Sequence, residues 1–192
     1  MLTRAELLGQ IMRNYDTPVA ISGTHGKTTT TSMVSHILLA GDCDPTISVG
    51  GILPAIGGNI RVGNSETFVT EACEYTNSFL SFFPKISIIL NMDADHLDFF
   101  KDIDDIRHSF RRFAELLPAD GTLIINADTP KYEDIIRDLP CNVITYGLEH
   151  DADYQAADIT YDKYGHASFS VLRNGVKAVS YTHLTLPTIL LV

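Results

Sequence analysis

Two hydrophobic periods alternate along the chain. Residues 5–13 carry apolar positions at helical spacing among charged ones, which predicts a short amphipathic helix. The compact apolar run "TPVAIS" (17–22) then reads as a buried strand, and a glycine loop follows at once. Helix signals run from Thr28 to Ala40, with Met33, Val34, Ile37 and Leu38 expected on one inward face and Gly41 as the stop. "PTISVGG" predicts a second strand, and the glycine-rich residues 51–63 a mobile loop. "TFVTEA" (67–72) and "KISIILNM" (85–92) are two further strands, the latter apolar on both faces as a central parallel strand is. "EYTNSFLSFFP" between them predicts a short helix or turn.

Farther on, Ile103, Ile106, Phe110, Phe113 and Leu117 form one stripe of a helix over about 102–117, with Pro118 and Gly121 beyond its end. "GTLIINAD", a helix over 130–138 and "CNVITYG" extend the alternation of strand and helix. After about residue 150 the period changes. "DYQAADITYD", "HASFSVLR" and "VKAVSY" read as short antiparallel strands joined at "KYG" and at Asn174-Gly175, the pair a tight hairpin wants. The fold class predicted is α/β: a mostly parallel sheet flanked by helices and carrying a phosphate-type loop, with a small antiparallel β-meander near the C-terminus.

Composition narrows the chemistry. At 192 residues the chain can hold one good-sized domain, or a domain with a small appendage. A formal charge of −10 argues against a nucleic-acid partner, which calls for a basic face. Any anion bound here must meet positive potential concentrated locally. Cys43, Cys73 and Cys141 form neither a CxxC pair nor an even set, which fits a reducing, cytoplasmic setting. Cys73 is expected to pack rather than react. The N-terminal segment lacks the apolar core of a signal peptide, and no apolar run is long enough for a membrane span. Nothing in the pattern specifies an oligomeric state.

The stretch "SGTHGKTTTTSM" supplies the local potential. A strand, a glycine turn and a helix N-terminus together aim successive N–H groups at an anion. Gly23 and Gly26 permit the turn, Lys27 can reach β- and γ-phosphates, and the Thr28 hydroxyl is placed to ligate Mg²⁺. Thr24, His25 and Thr29 complete the candidate nucleotide-binding loop. Ile21 stands where a full GxxxxGK[ST] pattern has its first glycine, so a purely structural turn is the competing reading.

Metal needs ligands beyond Thr28. Glu71 closes one strand, and "NMDADHLDFF" follows another. In an open parallel sheet these ends are where ligands bind, which gathers Glu71, Glu74, Asp93, Asp95, His96 and Asp98 on the side of the loop. From spacing alone, Glu71 and His96 are either metal ligands or members of a solvated, helix-capping loop. His25 either faces substrate or fills a turn, and His36, His108, His150 and His166 read as surface or core histidines.

Together, "GTHGKTTTTSM", "SVGGILPAIGGNIRVG", "EACEYTNSFLSFFP", "ILNMDADHLDFFKDIDDIRHSF" and "NADTPKYEDIIRDLPCNVITYG" resemble the central domain of the ATP-dependent Mur ligases of peptidoglycan synthesis. His25 and the Ala72-Cys73 pair point to the branch that joins L-alanine to UDP-N-acetylmuramate. The resemblance spans residues 1–179, with the meander from about 151. It implies that ATP phosphorylates the muramic carboxylate and that the amine of L-alanine attacks the acyl phosphate. Lys27, Glu71 and His96 are then the catalytic residues: Lys27 holds the transferring phosphate, Thr28 and Glu71 ligate one Mg²⁺, and Glu71 and His96 a second. Several family members carry a carbamylated lysine on the helix after the DHLD motif; Phe110, Arg111 and Arg112 occupy that region here.

Complete members add an N-terminal UDP-binding domain and, past the meander, a Gly-x-His-Asn segment and an amino-acid-binding domain. Both are expected to lie outside this chain, leaving an ATP-binding core that is inactive alone. "SYTHLTLPTILLV" (180–192) resembles nothing at that point of the family and is expected to be a non-native tail. The competing readings are a non-catalytic nucleotide-binding fragment and another Mur-type amide ligase. A GTPase would need a base-reading N-K-x-D run, which the chain lacks.

Overall fold

The computed structural model describes residues 2–182. Four helices, α1 (Arg4–Met12), α2 (Lys27–Ala40), α3 (Ile103–Ala114) and α4 (Tyr132–Ile136), accompany ten strands. The strands are β1 (Thr17–Ser22), β2 (Thr46–Leu53), β3 (Gly58–Arg61), β4 (Thr67–Glu71), β5 (Ile86–Ile89), β6 (Thr122–Asn126), β7 (Asn142–Gly147), β8 (Tyr154–Tyr161), β9 (Ala167–Arg173) and β10 (Val176–Thr182). They form one sheet in the order β10-β9-β8-β7-β6-β5-β1-β4-β2-β3. From β2 to β7 every neighbouring pair is parallel, so the C-terminal ends of these strands share one edge. The antiparallel meander expected after residue 150 is β8 to β10, and it joins the parallel sheet where β8 pairs with β7 at Tyr146↔Tyr154 and Gly147↔Gln155. Residues 180–182 continue as β10 against β9, and the remainder of the expected tail lies outside the described residues.

Strand alternation sends side chains to two apolar layers. On one face Ala20, Phe68, Ile89, Leu123 and Ile125 meet Met12 of α1 and Ile106, Phe110 and Phe113 of α3. Phe79, in a 3-10 segment at Tyr75–Ser81, stacks on Phe113 with ring centroids 4.7 Å apart and meets Phe110 edge-on. On the other face Val19, Ile21 and Val69 pack against Val34 and Leu38 of α2. Helices on both faces of a parallel sheet confirm the predicted class.

Three expectations are corrected. Residues 51–63 are not a loop: β2 runs on to Leu53, a 3-10 turn takes Pro54–Ile56, and β3 returns antiparallel. The arm is anchored at its base, where the Arg61 guanidinium donates to the Asp44 carboxylate and to the Pro45 carbonyl. Together with Asn64, that guanidinium holds the Asp44 carboxyl at about 2.

The inward face of α2 is only partly as expected: Val34 and Leu38 pack on the sheet, but small polar residues share that face and Ile37 leaves it. Thr31, Ser32 and Ser35 are buried, whereas Ile37 is 69% exposed. The helix leaves β1 after a four-residue loop and lies close over the strands, so its line of closest approach admits only small side chains. The Ser35 hydroxyl is satisfied by donating to the Thr31 carbonyl at 2.7 Å. Cys73 is exposed rather than packed. Among the described residues no helix is long and apolar enough to cross a membrane.

Candidate functional site

Crossovers leave β1 in both directions. The chain passes from β1 through α2 to the β2 side, then from β4, next to β1, over to β5 on its other flank. That reversal of strand order opens a crevice at the C-terminal end of β1, and three segments converge there: the loop 23–26, the end of β4 and the residues after β5.

The loop is held from β5. Thr24 N–H donates to the Asn91 carbonyl. Asn91 also brackets His25, accepting from its N–H at 2.8 Å and donating to its carbonyl at 3.0 Å. The Asp93 N–H donates to the Thr24 hydroxyl at 2.9 Å. Gly23 adopts φ +147°, and a Cβ there would lie 2.9 Å from that of Leu90 and 3.2 Å from the Asn91 nitrogen, so no other residue fits the turn. Gly26 caps α2 in the left-handed region without a side-chain hydrogen bond. The helix therefore starts with unclaimed N–H groups on Lys27, Thr28 and Thr29, whose partial positive charge faces the crevice. Thr29 and the His25 ring are exposed, the latter 3.9 Å from the Asp93 carboxylate.

Lys27 is mostly enclosed, and its ammonium donates inward to the carbonyls of Gly23 (2.6 Å) and Thr24 (3.1 Å). Its remaining partner is Glu74, whose two carboxylate oxygens stand at 3.2 and 3.0 Å. Glu74 is only 2% exposed and also lies 3.6 Å from His96 Nε2. His96 adopts φ +54°, donates its N–H to Asp95 and packs its ring against Tyr75. The Tyr75 hydroxyl donates to Asp98 at 2.8 Å, which holds the phenol above its ordinary pKa.

Glu71 faces the other way. It accepts from the Thr28 hydroxyl at 3.1 Å and from the Gly50 N–H on β2. A Cβ at residue 50 would meet the Glu71 carboxylate at 2.7 Å, so glycine at 50 is what lets the carboxylate lie against the strand. Thr28 and Glu71 together offer hard oxygen donors, the type that suits Mg²⁺. Among the described residues no group of three or more His, Cys, Asp or Glu side chains is arranged to hold a metal ion.

Every nucleotide and metal candidate named from the sequence thus lies on this crevice, but in two pairs: Thr28 with Glu71, and Lys27 with Glu74 beside His96. Glu74 and Asn91 are the crevice residues that sequence reasoning undervalued. A glutamate three residues past a strand end reads as solvated, and only the fold shows it nearly enclosed. Phe110, in place of a modified lysine, is fully buried, and Arg111 is spent on Glu115 and the carbonyls of Ile135 and Arg137.

Residues 21–185 match the Mur ligase middle domain. UDP-N-acetylmuramate–L-alanine ligase of Lachnospira eligens is 64% identical over 183 residues, which is 95% of this chain and 40% of that protein. The chain thus spans about 40% of the length of the curated relatives it matches. Among solved structures, UDP-N-acetylmuramate:L-alanyl-γ-D-glutamyl-meso-diaminopimelate ligase from Neisseria meningitides superposes with a TM-score of 0.82 at 25% identity, covering 96% of this chain and 60% of that one. UDP-N-acetylmuramate-alanine ligase from Thermotoga maritima gives 0.74 at 26% identity, over 89% of this chain and 37% of that one. Because the family match runs from the strand that feeds the loop through to the last strand of the sheet, the chain belongs to the Mur ligase family, of which it carries the middle domain.

Proposed function

We propose that this chain is the ATP-binding core of a cytoplasmic enzyme that joins L-alanine to UDP-N-acetylmuramate through an acyl phosphate. The observation that carries the reading is the loop itself: a rigid glycine turn, an uncapped helix start and Lys27, all braced from β5. The 64% identity to an L-alanine-adding relative supports this branch over other Mur-type ligases.

In this reading the N–H groups at the start of α2, on residues 27–29, bind the phosphate chain, since those of Thr24 and His25 are taken by Asn91, and Lys27 moves from its loop carbonyls to the transferring phosphoryl group. Thr28 and Glu71 would hold one Mg²⁺; a second ion between Glu71 and His96 would require the two to come together, since here Glu71 lies against Thr28 and Gly50 and His96 beside Glu74. Bound there, the metal would offset charge developing on the phosphoryl group. The Asn91 bracket and the Thr24–Asp93 bond keep the loop from relaxing, so positioning is built in before the substrate arrives.

The test is phosphate release by the full-length protein containing this segment, incubated with ATP and Mg²⁺. Release that requires both UDP-N-acetylmuramate and L-alanine is expected. Release indifferent to L-alanine, or dependent on another amino acid, overturns the specificity. For the 192-residue chain alone, a second reading applies: binding of Mg-ATP without substrate-dependent phosphate release, since the chain covers only 40% of its relative's length.

A further inference from the structure

The Lys27 ammonium has three protons to donate and four acceptor atoms around it: two loop carbonyls and both oxygens of Glu74. No donor is left over for an incoming anion. Glu74 is 2% exposed, so its charge is screened less than that of a surface carboxylate. A phosphate that takes Lys27 must therefore displace a carboxylate already bound to it, or share the cation with it. The displaced carboxylate does not lose every polar neighbour, because His96 Nε2 stands 3.6 Å from its Oε1. A neutral imidazole can donate there. Glu71, by contrast, is committed to Thr28 and Gly50 and does not contact Lys27.

We infer that Glu74 is a specificity-determining residue: a built-in counter-ion on Lys27 that keeps simple anions off the loop and admits a phosphate chain only when a divalent cation offsets its charge. This rests on the phosphate-loop reading above. The energetic logic is that of competition for one cation. A bare polyphosphate meets Glu74 repulsion without compensation. The same chain carrying Mg²⁺ at Thr28 and Glu71 brings its own positive charge, and Lys27 needs only to be shared. Glu74 acts through Lys27 rather than on the reacting atoms.

The substitution that isolates charge from shape is Glu74→Gln, which keeps an acceptor for Lys27 and removes the negative charge. The measurement is calorimetric binding to the 192-residue chain of Mg-ATP and of metal-free tripolyphosphate, with thermal melting as the check on folding. The unsubstituted chain is expected to bind Mg-ATP and to bind tripolyphosphate poorly. E74Q is expected to bind tripolyphosphate about tenfold more tightly, the scale of one unit charge a few ångströms away in a partly wet crevice. That gain should vanish in Lys27→Ala/Glu74→Gln, because the lysine is what the carboxylate was holding.

If Mg-ATP binds but E74Q takes tripolyphosphate no better than the unsubstituted chain, the counter-ion role is overturned and the phosphate loop stands. If the unsubstituted chain does not bind Mg-ATP, both readings fall. Should E74Q fail to fold, Glu74→Asp replaces it. Its shorter arm draws the charge back from Lys27, and a gain of a few fold is expected. No gain overturns the inference.

Discussion

Lys27 shows how far the surroundings of a residue can depart from what its place in the sequence suggests. As the lysine of a glycine loop it suggests an exposed side chain free of structural duty. The fold instead makes it the cation of a nearly enclosed ion pair with Glu74. Lys27→Ala should therefore abolish nucleotide binding and also cost about 2–4 kcal/mol of stability, since a buried carboxylate loses its partner. Adding Glu74→Gln should restore most of that loss, because no uncompensated charge remains. Denaturant unfolding of the two single variants and the double variant checks this; strictly additive costs would mean the pair is not coupled. Glu71 differs because its partners are a hydroxyl and a backbone N–H. Glu71→Ala is expected to remove the Mg²⁺ dependence of ATP binding, and binding that stays equally Mg²⁺-responsive takes Glu71 out of the site.

At the scale of elements, α2 and the turn after β7 carry the tests. Ser35 lies on the line where α2 touches the sheet and is fully buried, whereas Ile37 points to solvent. Ser35→Leu should destabilise by about 1–3 kcal/mol through overpacking. Ile37→Lys should change stability by no more than about 0.5 kcal/mol. The opposite ranking would restore the apolar stripe that the sequence suggests.

After β7, burial would raise the Asp128 carboxyl, but N–H donors of Leu148, Glu149 and His150 and the His150 ring more than offset it. Its pKa falls from 3.8 to about 2. A folded pKa below the unfolded one gives stability that is fully present above about pH 4 and is lost as pH falls toward 2. Asp128→Asn should lower stability at neutral pH and lose less of it than the unsubstituted chain on acidification through that window. Parallel acid-unfolding curves would remove Asp128 from the account.

Across the whole molecule, protection should be uneven. The strands β1, β4 and β5 lie between two apolar layers, while β8 and β9 expose much of their surface and, among the described residues, pair with the parallel sheet at the end of β7. Local opening follows buried apolar contact. Hydrogen exchange should therefore be faster by orders of magnitude in β8 and β9 than in β1 and β5, and uniform protection would mean the ten strands unfold as one unit.

What the sequence determined by itself is what short-range physics writes into neighbouring residues. Alternating periods identified nearly every strand and helix, because burial of one face selects apolar residues at that face's spacing. Gly23 and Gly26 marked the tight turn at the start of α2, because its positive φ angles and the close approach to Leu90 call for glycine. The tertiary structure alone decided what depends on contact between distant segments. It closed residues 51–63 into a hairpin arm tied down by Asp44 and Arg61. It turned small polar residues of α2 inward because the sheet comes so close. It also enclosed Glu74 against Lys27 across 47 positions of sequence. Burial of a charge has no local signature, since the residue type is the same on the surface, and only the folded neighbours supply its partner.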